Sequence, residues 1–157
     1  MLTTNQKGAI AETAIAHEAI KLGIEVYRPV VEGGRFDLIF AFEDASLARV
    51  QCKYAPIYRG VIIVRCESSR RTADGFRRRS YTADEIDALA AYCPQLETCY
   101  FLPIEFFEGR SHISLRLGPT RNSQRAGVNW AASYEFAATL GRVGAVAQLG
   151  ERRAGSA

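Results

Sequence analysis

Histidine is scarce in this 157-residue sequence, which holds only His17 and His112, and its four cysteines (Cys52, Cys66, Cys93, Cys99) form no C-x-x-C pair. Zinc ligands are Cys and His at short fixed spacings, so these shortages argue against a zinc centre. Cys52, Cys66 and Cys99 fall in strand-like runs, where a free thiol packs as a small hydrophobe. Long apolar runs are missing too. Leu38 to Phe42 and Val61 to Val64 fall far short of the roughly 20 residues that cross a bilayer, so no membrane partner is expected. No long hydrophobic segment precedes a small-residue cleavage site, so no secretory signal is read and the cytoplasm is the expected compartment. Lysine is the third scarcity: of 20 basic residues only Lys7, Lys21 and Lys53 are not arginine. Arginine offers a planar fork that binds phosphate bidentately. Seven arginines lie between Arg59 and Arg79 against only Glu67 and Asp74, a local excess that fits either a polyanionic partner or a solvated loop face.

What is present suits one globular domain, 48% hydrophobic and 24% charged. A chain of this length buries roughly 70% of its unfolded surface and needs no disulfide or structural metal. From Thr4 to Leu22 the residues Ile10, Ala14, Ile15, Ala19, Ile20 and Leu22 recur at helical spacing, with Gly23 as a stop. Strands are expected at Ile24 to Val31, Arg35 to Phe42, Leu47 to Tyr54 and Gly60 to Cys66, the last as a buried strand. Ser68 to Ser80 reads as a polar, Arg-rich surface loop. Thr82, with Glu85 three residues on, reads as the cap of a helix over Ala83 to Tyr92 that Pro94 ends. On that reading Asp84 and Asp87 favour the positive end of the helix while Ile86, Leu89 and Tyr92 face the core. Thr98 to Ile104 and His112 to Leu117 read as strands, and Val128 to Thr139 as a short helix in which Trp130, Tyr134 and Phe136 pack. This order predicts an α/β fold, a mixed sheet flanked by helices. The folded unit is residues 1–140. Residues 141–157, rich in Gly, Ala, Arg and Ser, read as a disordered tail. Its string Gly144-Ala-Val-Ala-Gln-Leu-Gly-Glu-Arg152 resembles the peptide encoded when the first half of a bacterial transfer RNA gene is translated.

Alternate residues of a strand face opposite sides of a sheet. Phe36, Leu38, Phe40 and Phe42 should then share one face and Asp37, Ile39 and Ala41 the other; Arg49, Gln51 and Lys53 share a face of the next strand. A three-residue turn pairing Phe42 with Ser46 sets Asp37 opposite Gln51, with Lys53 next along the strand, whereas a two-residue turn sends Gln51 and Lys53 to the far side. A carboxylate, an amide oxygen and an ammonium suit metal-assisted phosphodiester hydrolysis. The Asp37 carboxylate, the Gln51 amide and the backbone carbonyl of Cys52 offer a hard cation such as Mg²⁺ three oxygens, and Glu12 on the first helix can add another. Lys53 can orient water or hold charge on the phosphate. The same residues also allow a plain structural ion pair of Asp37 with Arg49 or Lys53.

In order along the chain, Gly8-x3-Glu12, Phe36-Asp37-Leu38 and Gln51-Cys52-Lys53 resemble the PD-(D/E)XK nuclease superfamily, whose restriction-endonuclease-like core is a helix, a three-stranded sheet, a helix and a further strand. Tyr81-Thr-Ala-Asp-Glu-Ile-Asp87, Tyr100-Phe-Leu-Pro103 and Asn129-Trp130 extend the resemblance to the branch related to group I intron homing endonucleases, over about residues 5–137. The resemblance implies a DNA endonuclease in which Asp37 binds metal, Lys53 is the catalytic lysine and Glu12 is the acidic residue of the first helix. Mg²⁺ is the implied cofactor, with Mn²⁺ as an alternative. Gln51 replaces the usual acidic residue, as it does in related nucleases, and Phe36 stands where the motif has Pro. The missing charge weakens cation affinity. It therefore keeps a second reading alive, a catalytically degraded module that binds nucleic acid without cutting it. Arg70, Arg71, Arg77, Arg78 and Arg79 are then expected at DNA phosphates, and Arg121, Asn122, Gln124 and Arg125 at phosphates or base edges. The resembling nucleases act as homo-oligomers, so a homodimer or homotetramer is expected, with two copies related by a two-fold axis to cut both strands.

Overall fold

Thr3 starts the first helix. Its hydroxyl accepts from the Gln6 N–H at 3.2 Å while the Gln6 side chain accepts from the Thr3 N–H at 2.9 Å, a capping box that satisfies two otherwise orphaned donors. In the computed structural model, which describes residues 1–119, 121–122 and 124–141, this helix (α1) spans Thr4–Lys21. Strands β1 (Glu25–Tyr27), β2 (Leu38–Ala41), β3 (Leu47–Tyr54), β4 (Ile57–Tyr58) and β5 (Val61–Arg65) follow. Next come β6 (Glu67–Thr72), β7 (Gly75–Ser80), β8 (Ala88–Cys93) and β9 (Thr98–Pro103), then α2 (Ile104–Phe107), β10 (His112–Arg116), a 3₁₀ turn at Ala131–Tyr134 and α3 (Phe136–Thr139). The expected tail lies outside the described residues from position 142 onward.

The main sheet runs β1-β2-β3-β8-β9, antiparallel except where β3 lies parallel to β8, so the expected mixed sheet is present. Helix α1 covers one face through a narrow row, Ala11, Ile15 and Ala19, packed with Leu38, Phe40, Val50, Ala88 and Ala90. Small residues at 11 and 19 let the helix approach closely, and the neighbouring Ile10 and Ile20, expected inside, stay exposed. Phe40, Phe101 and Phe136 complete this core with ring centroids 6.2–6.3 Å apart. The other face carries a second core, in which Leu89, Ala91, Tyr100 and Leu102 meet Ile62, Val64, Ile113 and Leu115 of a small antiparallel sheet, β10-β5-β4.

Two expected elements take a different form. Ala83 to Tyr92 is no helix. Thr82 accepts from the N–H groups of Glu85 and Ile86 for a single turn, and the chain then becomes β8, a central strand buried on both faces. Alanine's helix preference yields to the ladders with β3 and β9, a tertiary override of local propensity. Asp87 accordingly starts no helix: its carboxylate accepts from the Arg49 N–H at 2.6 Å and from the Arg49 guanidinium at 3.1 Å, which removes Arg49 as the partner considered for Asp37. Ser68 to Ser80 is likewise not a loop but the greater part of the β6–β7 ribbon, paired from Glu67↔Ser80 to Thr72↔Gly75.

Smaller differences follow from breakers and faces. The strand expected to reach Val31 ends at Tyr27, just before Arg28-Pro29, where Pro29 lacks an N–H for the ladder. Gly60 to Cys66 is half-buried along β5 rather than buried throughout, because Ile63 and Arg65 face outward. The helix expected over Val128 to Thr139 breaks into two short turns at Glu135, whose backbone is extended (φ −57°, ψ 147°). Phe136 is buried there as expected, and Tyr134 packs its ring 4.6 Å from Phe106. All four cysteines are free and buried, as small hydrophobes.

Candidate active site and nucleic-acid interface

The β2–β3 turn decides the register of the site. Phe42 donates to the Ser46 carbonyl at 3.0 Å around a three-residue loop, with Ala45 at φ 66° and the Asp44 carboxylate accepting from the Ser46 N–H at 2.9 Å. This is the hairpin in which a left-handed residue closes the loop. The register continues to Leu38↔Val50 and brings Asp37 to the level of Gln51 and Cys52.

Regular pairing ends at Asp37. Its own N–H donates to the Val50 carbonyl at 2.9 Å, and its carboxylate accepts from the Cys52 N–H at 2.9 Å, the bond a strand carbonyl would otherwise make. The carboxylate is thus drawn towards the hydrogen-bonding edge of β3. The expected alternation breaks there as well: Phe36 leaves the face of Leu38 and Phe40 and packs against the second core. The Gln51 amide lies beside the Cys52 carbonyl, Nε2 to O 3.4 Å, so Asp37 and Gln51 both meet the backbone of Cys52, one at its N–H and the other at its carbonyl.

Glu12 comes in from α1. It pairs with Arg28 at 3.4 Å and shares an open hollow of about 660 Å³ with Asp37, Arg28 and the Gly33-Gly34 turn. Desolvation and the Asp37 charge raise the Glu12 pKa, while Arg28 opposes them. Burial also raises the pKa of Asp37, against the Cys52 N–H, Lys53 and Arg28. Two carboxylates that each resist ionisation favour an added cation. Lys53 stands on the other flank. Its Nζ donates to the Glu67 carbonyl at 3.0 Å and the Tyr81 hydroxyl at 3.1 Å, and burial lowers its pKa against the pull of Asp37. The Tyr81 ring is also covered by Arg35, 4.3 Å away. Arg35 in turn binds Glu85, the Ser68 hydroxyl and the Ser80 carbonyl.

A family model for PD-(D/E)XK endonucleases matches residues 2–137. The chain belongs to the PD-(D/E)XK endonuclease family. It is also similar to the solved structure of a bacterial homing endonuclease, I-Ssp6803I, at 26% identity and a TM-score of 0.73, over 94% of this chain and 98% of that one. Comparison with curated proteins gives no match. The chain is therefore a nuclease of restriction-endonuclease-like fold. Endonucleases of this family generally use divalent metal ions. Among the described residues no three His, Cys, Asp or Glu side chains group closely enough to hold a metal unaided, so a metal here needs the Gln51 amide or a backbone carbonyl as well. No described helix of this endonuclease is long and apolar enough to cross a membrane.

The endonuclease's arginines expected at DNA stand on two exposed segments. Arg70, Arg71, Arg77, Arg78 and Arg79 lie on the exposed β6–β7 ribbon; Arg79 is held by Glu85 at 3.2 Å, and the other four form no ion pair among the described residues. Arg121, Asn122, Gln124 and Arg125 lie on an exposed connection after β10, where the Asn122 side chain accepts from the Gln124 N–H at 3.3 Å. Gln124 lines a hollow of about 360 Å³ with Arg110, His112, Ser114, Arg116 and Asn129. The sequence reading missed Arg65, Arg116 and His112, which stand on the outer face of the small sheet. Their signal was the alternation with buried Val64, Leu115 and Ile113. It missed Arg35 as well and gave Tyr81 no role beside Lys53, because their partners lie 28 to 50 residues away.

Proposed function

We propose that this nuclease is a metal-dependent DNA endonuclease that hydrolyses phosphodiester bonds, of the intron-type homing kind, working as a homodimer or homotetramer. The observation that carries the reading is the meeting of Asp37 and Gln51 on the backbone of Cys52, with Glu12 sharing the hollow of Asp37 and a desolvated Lys53 on the other flank of Asp37. The donor set fits a hard cation: the Asp37 carboxylate, the Gln51 amide oxygen (after a flip of the amide), the Cys52 carbonyl and Glu12 would hold Mg²⁺ or Mn²⁺. When bound, such an ion polarises a phosphoryl oxygen and lowers the pKa of water. The chain's own groups do the rest. Lys53 has three N–H donors and spends two on Glu67 and Tyr81, which leaves one for a phosphate oxygen as charge grows on it. Arg28 is a second cation near the carboxylates, placed to hold them until a metal takes over that role. Most of the ribbon arginines, with Arg121 and Arg125, neutralise the DNA backbone, while Asn122 and Gln124 reach phosphates or base edges.

Gln51 in place of an acidic residue favours a second reading, a domain of the same fold that binds nucleic acid without cutting. Plasmid cleavage in Mg²⁺ or Mn²⁺ separates the two. Cleavage that disappears in Lys53→Ala and Asp37→Ala while DNA binding persists supports the enzyme. Binding without cleavage by the unaltered protein supports the module.

A further inference from the structure

We propose that the β6–β7 ribbon is a base-reading element of this nuclease and lies in the major groove of duplex DNA beside the bond that is cut; the inference rests on the endonuclease reading above. The ribbon is two strands wide and six residues long on each strand, and all of β7 is exposed. Two-stranded ribbons are marginal by themselves in water, so one held clear of the core is placed for a partner. Strands about 4.8 Å apart fit the roughly 12 Å major groove of B-DNA and not its roughly 6 Å minor groove. The deep, narrow major groove of an RNA duplex would not admit it.

The two faces of the ribbon differ. One carries Arg71 opposite Phe76, whose ring is 73% exposed, and leads at its root through Ser69 and Arg78 into a hollow of about 310 Å³ shared with Arg65 and His112. An exposed aromatic ring beside an arginine suits base edges, where apolar groups meet the thymine methyl and arginine meets guanine N7 and O6. The opposite face sets Arg70 directly across from Arg77. Like charges so placed repel. In a groove walled by phosphates they splay towards the two backbones, so this face supplies affinity and the Phe76 face supplies sequence preference. The root of that opposite face is tied down by Arg35 through Ser68 and by Glu85 through Arg79, which leaves the Phe76 face open to DNA.

Reach follows from the root. Lys53 Nζ touches the Glu67 carbonyl, the first residue of the ribbon, and six residues at about 3.4 Å each extend roughly 20 Å from it. At about 3.4 Å per base pair, the ribbon addresses bases within about six pairs of the cut.

The test uses the full chain and duplexes enriched from a library randomised over 30 base pairs, probed with dimethyl sulfate, which reports guanine N7 in the major groove and adenine N3 in the minor groove. We expect N7 protection within about six pairs of the mapped cut. Arg71→Gln and Phe76→Ala should change base preference at one or two of those positions, by roughly 5- to 100-fold each. Arg70→Ala/Arg77→Ala, checked for an unchanged melting temperature, should instead weaken all duplexes alike and lower the slope of log affinity against log salt by about 1.8. Protection confined to adenine N3, protected guanines farther out, or base preference unchanged in both Arg71→Gln and Phe76→Ala overturns the ribbon's role alone. A wild-type chain that neither binds nor cuts any duplex overturns the endonuclease reading beneath it.

Discussion

Asp37 offers a way to tell a functional carboxylate from a structural one by comparing two substitutions. Asp37→Ala removes the acceptor of the Cys52 N–H, and a buried strand donor left without a partner costs about 1–3 kcal/mol. For a chain of this size, each kcal/mol shifts the melting temperature by about 2–4 °C, so a fall of roughly 2–12 °C is expected. Asp37→Asn keeps an acceptor oxygen and discards the charge. Burial raises the Asp37 pKa above its ordinary 3.8, so ionisation opposes the folded state. The sign follows from that direction: the opposition is absent below the unfolded value, grows as pH rises through the window above 3.8, and is complete once pH exceeds the folded value. The Asn variant should therefore match or exceed the wild type in stability at neutral pH, and its advantage should shrink as the pH falls through that window. Urea titrations at several pH values measure this, and cleavage should be lost in both variants. If Asp37→Asn is as unstable as Asp37→Ala at neutral pH, the carboxylate is a structural partner of Lys53 and the reasoning fails. It fails equally if Asp37→Asn still cuts.

Three further outcomes are open to measurement. Lys53→Met should cut DNA about 100- to 1,000-fold more slowly, the range for removing one donor to developing charge, while gel-shift affinity changes little. Arg35→Ala cuts the ties to Ser68, Ser80 and Glu85, so amide hydrogen exchange across 67–72 and 75–80 should accelerate while exchange in β8 and β9 does not. Ala90→Leu overfills the seam between β8 and α1, and denaturant unfolding should show a loss of about 1–3 kcal/mol.

The parts of the fold legible in the sequence were those where a local rule agreed with the tertiary demand. Helix α1 and strand β3 obey spacing alone, whereas the β2–β3 turn, open in the sequence between two and three residues, has three, and that sets the level of Asp37 against Gln51 and Cys52. Local signals misled where distant partners decided. Ala88 to Cys93 carries helix-favouring alanines, but their value is small size in a strand packed on both faces, which only the neighbours reveal. Ser68 to Ser80 alternates no apolar residues because neither face of the ribbon is buried, so a strand looked like a loop. At the site, the order of Glu12, Asp37, Gln51 and Lys53 was readable. The bulge-like turn of Asp37 towards the Cys52 amide, and the anchoring of Lys53 by Glu67 and Tyr81, depend on contacts across 14 to 28 residues that no spacing rule encodes.

The Glu67 carbonyl to which Lys53 donates belongs to the peptide where the ribbon leaves the body of the protein. Whatever tilts the ribbon shifts the lysine's mooring by the same motion. If the ribbon reads DNA as proposed, a sequence that seats it badly would misplace the ammonium without altering a single residue of the proposed cutting centre, so fidelity in such a molecule becomes a matter of leverage.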